Sequence, residues 1–291
     1  GGVERTVFDE TRWLEAAGHE VGHFATADAR NRPSPFARHF APAADFDEGT
    51  SAWRQLPQLS RALWSAPAAR ALAGLLAEWR PDVAHVHAPS RYLTPSVIHE
   101  LERAAIPSVM TLHDWKRWCT NRVLFARGEV CERCRGGQHW HAVTTGCVQH
   151  SRLKSLVGAV EAYAHDRRGA YRPIRRWIAP SAFVRDQATE LGADVAHLRV
   201  LPHGVEAAVI VADPGRVLPG RFALYAGRLS EEKGVRLLPA VARAIAPVPL
   251  LVAGGGPLEP WLRAQAGGNL ELLGHLTDTA LAAVRERASV V

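Results

Sequence analysis

A chain of 291 residues with 47% hydrophobic content can bury one large core or two ordinary ones. No apolar run approaches the roughly 20 residues that a bilayer-crossing helix needs, and no segment has the form of a signal peptide, so a cytoplasmic protein is expected. The net charge of +6 and a pI near 9.5 fit nucleic acid, an anionic membrane surface or a phosphorylated substrate; nucleic acid is the least favoured, because outside Arg167-Arg168 and Arg172 to Arg176 the basic residues are scattered.

The chain opens on Gly1-Gly2 and a helical pattern, with Val7, Phe8, Leu14 and Ala17 on one face and a stop at Gly18. A glycine pair there can bring backbone N–H groups close to a ligand, or simply make a turn. His19 to Thr26 reads as a strand, Arg30 to Thr50 as an irregular connection and Leu56 to Trp79 as a helix. The strands Val83 to His87 and Pro107 to Leu112 flank a crossover helix from Pro95 to Ala105, which implies a parallel sheet. With no initiating Met and an end inside Ala288-Ser289-Val290-Val291, which reads as the start of a buried strand, the chain is expected to be part of a longer protein.

His113-Asp114 follows the second of these strands directly. A histidine at a strand's carboxyl end faces the ligand crevice of an open α/β sheet and can donate to a substrate hydroxyl or carry a proton, unless local backbone satisfies it. Asp114 can orient it or cap the next turn. All four cysteines then fall in one insertion, 119–147: Cys119, Cys131, Cys134 and Cys147. This clustering around a Cys-x-x-Cys fits a structural zinc site, with His139, His141 and His150 as substitute ligands. Buried free thiols are the alternative, and a disulfide is disfavoured in a chain without an export signal.

Ser151 to Tyr171 reads as a long helix with Leu153, Leu156, Val157, Val160 and Tyr163 or Ala164 on one face; its Lys and Arg residues suit anionic lipid headgroups or, more commonly, a charged solvent face. The strand Trp177 to Ala179, the helix Ala182 to Leu191 capped by Ser181, and the strand Leu198 to Leu201 lead to a linker at 206–220 carrying Pro214 and Pro219. Two domains are therefore expected, 1–205 and 221–291. The second opens on the strand Phe222 to Ala226 and the helix Val235 to Ile245. Gly227, Arg228 and Lys233 lie in the loop between them, where a forked guanidinium and a mobile ammonium suit a diphosphate; a solvated loop partnered by Glu231 and Glu232 is the alternative. Val248 to Ala253 ends in Gly254-Gly255-Gly256-Pro257, read as a flat approach to a ligand with the proline starting a helix. Leu270 to Leu273 and Leu281 to Val284 continue the alternation.

In order along the chain, Gly1-Gly2-Val3-Glu4, Asp82 to His87, His113-Asp114, Ala179-Pro180-Ser181, Pro202 to Glu206, Ala226 to Leu229 with Glu232-Lys233-Gly234, and Ala253 to Pro257 resemble the family-4 retaining glycosyltransferases of the GT-B fold. The resemblance implies an α/β protein of two facing Rossmann-like domains, the acceptor bound mainly by the first and a nucleoside-diphosphate sugar by the second, here incomplete. By position, Arg228 and Lys233 resemble the donor pyrophosphate ligands, Gly2 (beside Gly1) the backbone contact to the phosphates, and His113 the residue near the transferred sugar. Gly255 and Gly256 lie by the nucleotide pocket.

The implied reaction passes through an oxocarbenium-like transition state in which the leaving diphosphate gains charge, and two cations with helix N-termini stabilise it without a metal cofactor. A glycan or lipid-linked acceptor is the usual partner, and peripheral contact with an anionic membrane is compatible with the basic helix. The family's acidic Glu-pair motif lies past Val291, so activity of the chain alone is expected to be low. The competing readings are a nucleotide-sugar epimerase of the same fold and a basic zinc-bearing nucleic-acid module.

Overall fold

The computed structural model describes residues 2–43, 63–89, 92–204 and 217–291. Gly1, most of the linker and the beginning of the predicted helix at Leu56 fall outside them. The chain divides into two compact units, Gly1–Val205 and Glu206–Val291.

The first unit is built on a four-stranded parallel sheet. Helix α1 (Gly2–Ala16) is followed by α2 (Ala66–Glu78), β1 (Ala84–His87), α3 (Ser96–Arg103) and β2 (Ser108–Thr111). The insertion then contributes a short antiparallel hairpin, β3 (Phe125–Ala126) and β4 (Glu129–Val130), and the helix α4 (Trp140–Thr145). Helix α5 (Arg152–Arg168), β5 (Ile174–Ala179), α6 (Ala182–Glu190) and β6 (Leu198–Val200) complete it, with sheet order β1-β2-β5-β6. Helices α2 and α3 place Leu72, Leu75, Val97, Ile98 and Leu101 on a core shared with Met110 and Ile174. Serine caps set two helix starts: Ser65 accepts from the Ala68 amide and Ser181 from that of Val184.

Three expectations change here. His19 to Thr26 is extended but forms no ladder strand; its sheet-like contact is a single bridge from Thr26 to Ala41. Of the predicted helix from Leu56 to Trp79, residues 56–62 lie outside the described residues; Leu63 is helical, Trp64 and Ser65 interrupt the pattern, and a helix runs Ala66–Glu78, its first turn fixed by the Ser65 cap and Pro67. Strand β5 starts at Ile174, three residues before the predicted Trp177, the exposed Arg175 and Arg176 having disguised its first half.

The largest reversal is on α5. Its buried residues are Ser155, Gly158, Ala159, Glu161, Ala162 and His165, while Leu153 is 71% exposed, Val160 49%, and Leu156, Val157 and Tyr163 also face solvent. Specific polar bonds hold the inner face: Lys116 Nζ lies 2.8 Å from Glu161 Oε2, the Val148 amide donates to Ser155 Oγ, and His165 Nε2 meets the Leu63 carbonyl. Thr120 presses so closely on Gly158 that a Cβ there would come within 2.7 Å of its methyl. Periodicity identified the stripe, but small side chains and paired polar groups occupy the packed side.

The second unit is a doubly covered parallel sheet. Its strands are β7 (Ala223–Ala226), β8 (Leu250–Ala253) and β9 (Leu270–Gly274), with helices α7 (Leu238–Ile245), α8 (Glu259–Arg263) and α9 (Asp278–Arg287). Alternate residues of β8 face opposite cores: Leu250 and Val252 meet Leu238 and Leu262, whereas Leu251 and Ala253 meet Val284. This is why the strand reads as an unbroken apolar run. Val290 bridges Ala223 in parallel, with the Leu224 amide donating to the Val290 carbonyl, so the terminal residues line the open edge of β7.

The predicted helix from Val235 begins as 3-10 turns and becomes α-helical at Leu238, with Pro239 in its first turn. Pro257 does not start α8. The Leu258 amide is bonded to the Leu229 carbonyl, which holds residues 257–258 in a turn and moves the start to Glu259. Leu281 to Val284 lie within α9.

Candidate active site

In the first unit the carboxyl ends of three strands bring histidines together. His87 is the last residue of β1, His113 follows β2, and His203 follows β6. His87 Nδ1 stands 2.9 Å from His113 Nε2, and the His113 and His203 rings stack at 5.3 Å with 9° between their planes. His85, on the same face of β1 as His87, meets Thr111 Oγ1 through Nε2 at 2.7 Å. Helix α1 adds Glu10, whose Oε2 lies 3.3 Å from His85 Nδ1 and 3.4 Å from His87 Nε2.

Burial drives the electrostatics of this cluster. It pushes the imidazole pKa values down, to about 4 for His85 and about 3 for His87, and the neighbouring rings add repulsion. His113 is lowered by burial and by His203, with Asp114 opposing weakly. Glu10 is raised by burial. At neutral pH the rings of His85, His87 and His113 are therefore uncharged hydrogen-bonding groups. Asp114 caps the next turn through the Lys116 amide and faces Arg122 at 3.9 Å; His87 and His203 do the orienting of His113. Gly2 begins α1 and is exposed.

In the second unit, Gly227, Arg228 and Lys233 lie in the loop leaving the carboxyl end of β7, with Arg228 and Lys233 exposed. Neither makes an ion pair among the described residues. Glu231 is engaged by Arg236 at 2.6 Å, and Glu232 accepts from Ser230 Oγ at 2.6 Å. Both cations lower the Glu232 carboxyl, though less than its hydrogen bonds do, against the raising effect of burial. The Tyr225 hydroxyl is 3.2 Å from the Arg228 carbonyl and 3.4 Å from that of Lys233, bridging the two ends of the loop.

The glycine run after β8 serves this loop. Gly254 has φ +133°, and a Cβ there would fall 2.0 Å from the Gly227 carbonyl oxygen; at Gly256 it would fall 2.5 Å from that of Leu229. Gly255 accepts from the Leu229 amide at 3.0 Å. The two loops are thus one backbone-bonded platform, in which Gly254 and Gly256 give their space to the neighbouring chain.

The sequence matches the profile of Glycosyltransferase Family 4 over residues 1–209. The chain belongs to that family. Its fold is similar to that of the lipopolysaccharide outer core galactosyltransferase WaaB in apo form, with a TM-score of 0.51 at 15% identity over 98% of this chain and 67% of that one. This is the GT-B architecture of the family. Also similar are HepE of Anabaena in complex with UDP-glucose, at TM-score 0.46 and 18% identity over 75% of this chain and 54% of that one, and a UDP-N-acetylglucosamine 2-epimerase from Rickettsia bellii, at 0.41 and 10% over 86% and 57%. No curated protein matches the sequence.

A shallow basic depression of about 530 Å³, lined by Arg172, Arg175 and Arg176, lies at the amino ends of β2 and β5, the end of the sheet away from the ligand crevice. Sequence reasoning missed Glu10, His85, His87, His203 and Tyr225. The signal for three of them was there in His85-Val86-His87 and Pro202-His203-Gly204, but nothing local tells that these segments meet.

Two groups could hold a metal. Among the described residues, Glu10, His85 and His87 form the group whose ligand atoms all lie within 4.8 Å of one another. The four cysteines are free thiols in the insertion directly after His113-Asp114, on loops packed against α5.

Proposed function

We propose that the protein transfers a hexosyl group, with retention of anomeric configuration, from a nucleoside-diphosphate sugar to a glycan or lipid-linked acceptor. The observation that carries this reading is the β7 loop: Arg228 and Lys233 are exposed, free of carboxylate partners among the described residues and fixed by Tyr225 beside the glycine platform. A diphosphate would give Arg228 and Lys233 the direct ion-pair partner that neither has among the described residues, and its charge grows as the glycosidic bond breaks, so fixed cations act most strongly in the transition state. Arg228 engages two oxygens through its fork and Lys233 one, while Gly2, Gly227, Gly255 and Gly256 border the donor with backbone groups. In the first domain, the neutral His113, with Nε2 held by His87, positions the sugar. Front-face attack by the acceptor hydroxyl, its proton passing to the leaving phosphate, accounts for retention without a metal cofactor.

The acceptor side is proposed to work at the cytoplasmic face of an anionic membrane. No helix among the described residues is long and apolar enough to cross a bilayer. Helix α5 exposes Leu153, Leu156, Val157, Val160 and Tyr163 beside Arg152, Lys154, Arg167 and Arg168 without segregating them onto opposite faces, so a lipid interface would meet apolar and basic groups together.

A donor screen on the full-length protein with mixed glycan and lipid acceptors, read by mass spectrometry, tests the activity, and the anomeric coupling in the product tests retention. Transfer with inversion, or donor epimerisation without transfer, would overturn the reading.

A further inference from the structure

The insertion after His113-Asp114 has little apolar core of its own. Its hairpin and α4 are short, and its packing centres on loops that carry the cysteines. Three of these loops converge on one point of α5. The side chains following Cys119 and Cys147 meet there: a Cβ on Gly158 would lie 2.7 Å from Thr120 Cγ2 and 3.6 Å from Val148 Cγ2. The hydroxyl of that same Thr120 is 3.9 Å from Cys134 Sγ.

His139 lies beside Cys134 and is only 2% exposed. Its Nε2 is 2.9 Å from Asp166 Oδ2, on the C-terminal turn of α5, and Asp166 is itself held by Arg117 Nη1 at 2.5 Å. Its Nδ1 is buried with no hydrogen-bond partner. A buried nitrogen left unpaired is costly. An imidazole with one nitrogen fixed by a carboxylate and the other unsatisfied beside thiols has the form of a metal ligand with its orienting partner already in place.

We propose that the insertion is closed by a zinc ion held by Cys119, Cys134, Cys147 and His139, with Asp166 as a positioning residue. Three thiolates and an imidazole are one of the usual structural zinc sets, and thiolate softness selects zinc over magnesium or calcium. Binding displaces the protons of the three thiols and involves no change of oxidation state. Cys131 is left out because the contacts that converge here come from the residues following Cys119 and Cys147 and from Cys134 itself. No three of these four ligand atoms lie within 4.8 Å of one another, so closure requires their side chains to turn inward. The ion would staple the insertion to α5 and thereby fix the segment that follows His113.

Elemental analysis of full-length protein purified without chelator is expected to give about one zinc per chain, since structural sites hold the metal tightly. Cobalt substituted for the zinc should give the ligand-field bands of a tetrahedral site together with thiolate charge transfer, a readout that needs no variant to fold. Cys131→Ser should leave metal content and spectrum unchanged; His139→Gln should shift the cobalt bands, and Asp166→Asn should weaken binding by about ten- to a hundredfold. Metal below about 0.2 per chain, with all four thiols open to a thiol reagent in the native protein, would overturn the site. Loss of metal in Cys131→Ser but not in His139→Gln would overturn the ligand set in favour of four cysteines.

Discussion

His87 Nδ1 and His113 Nε2 face each other at 2.9 Å, so a single proton lies between two neutral rings and the tautomer of one dictates that of the other. Protonating the pair breaks this arrangement, because each ring would then have to donate.

The consequence for stability has a definite sign. His85 and His87 have folded pKa values of about 4 and about 3, below the ordinary 6.5, so between those values the unfolded chain binds more protons. Stability therefore falls as pH drops from about 6.5 towards 4. Glu10, raised by burial, and His113, lowered by burial, share the surroundings and shape the curve. The melting temperature of the double variant His85→Gln/His87→Gln should depend less on pH over this window than that of the wild type. Parallel curves would show that the cluster does not control acid sensitivity.

Arg228→Ala and Lys233→Ala should each slow sugar transfer by about a hundredfold, the loss of ~3 kcal/mol typical for one preorganised electrostatic partner. Arg228→Lys keeps the charge but not the fork and should recover only part of this. Both residues are exposed, so melting temperature without ligand should stay the same, while the stabilisation given by added nucleoside diphosphate shrinks. Wild-type transfer rates in these variants would remove the loop from the active site.

Glu161→Ala should destabilise the first domain by roughly 3 kcal/mol, because it removes the carboxylate 2.8 Å from Lys116 Nζ in a pair on the packed side of α5. The double variant Lys116→Met/Glu161→Leu removes both charges and should regain most of the loss. Chemical denaturation measures each, and equal stability of the single variant and wild type would count against a buried pair.

Replacing Leu156 and Val160 by Gln should leave stability within about 0.5 kcal/mol, as expected at exposed sites, and should weaken co-sedimentation with vesicles rich in anionic lipid. Unchanged binding would detach this face from the membrane. A wild-type protein that dimerises and loses self-association in the variant would assign the stripe to a second copy of the chain.

Much of the fold was legible because β8, buried on both sides, and its neighbour β7 announce themselves as apolar runs, and because Ser181 caps a helix where the sequence places it. The Arg228 and Lys233 loop was legible for a related reason: strand, loop and helix are contiguous. Helix α5 was misread because periodicity defines a stripe without saying whether apolar side chains or Ser155, Gly158 and Glu161 meet the rest of the protein. His203 and Glu10 were invisible as partners of His87 because they arrive from distant segments. For His139 the telling fact is which ring nitrogen Asp166 takes, and no spacing encodes that.

The bonding between the Gly227–Leu229 and Gly254–Gly256 segments also constrains how this enzyme can diversify. Side chains that point away from the platform can change one at a time. Its two loops, however, share amide-to-carbonyl bonds at Gly227, Leu229 and Leu258, so a residue inserted into either would shift the register of the other. If these loops bind the donor as proposed, new donor preferences should therefore arise by exchanging outward side chains or by altering segments beyond the platform, with the length of these two loops held constant.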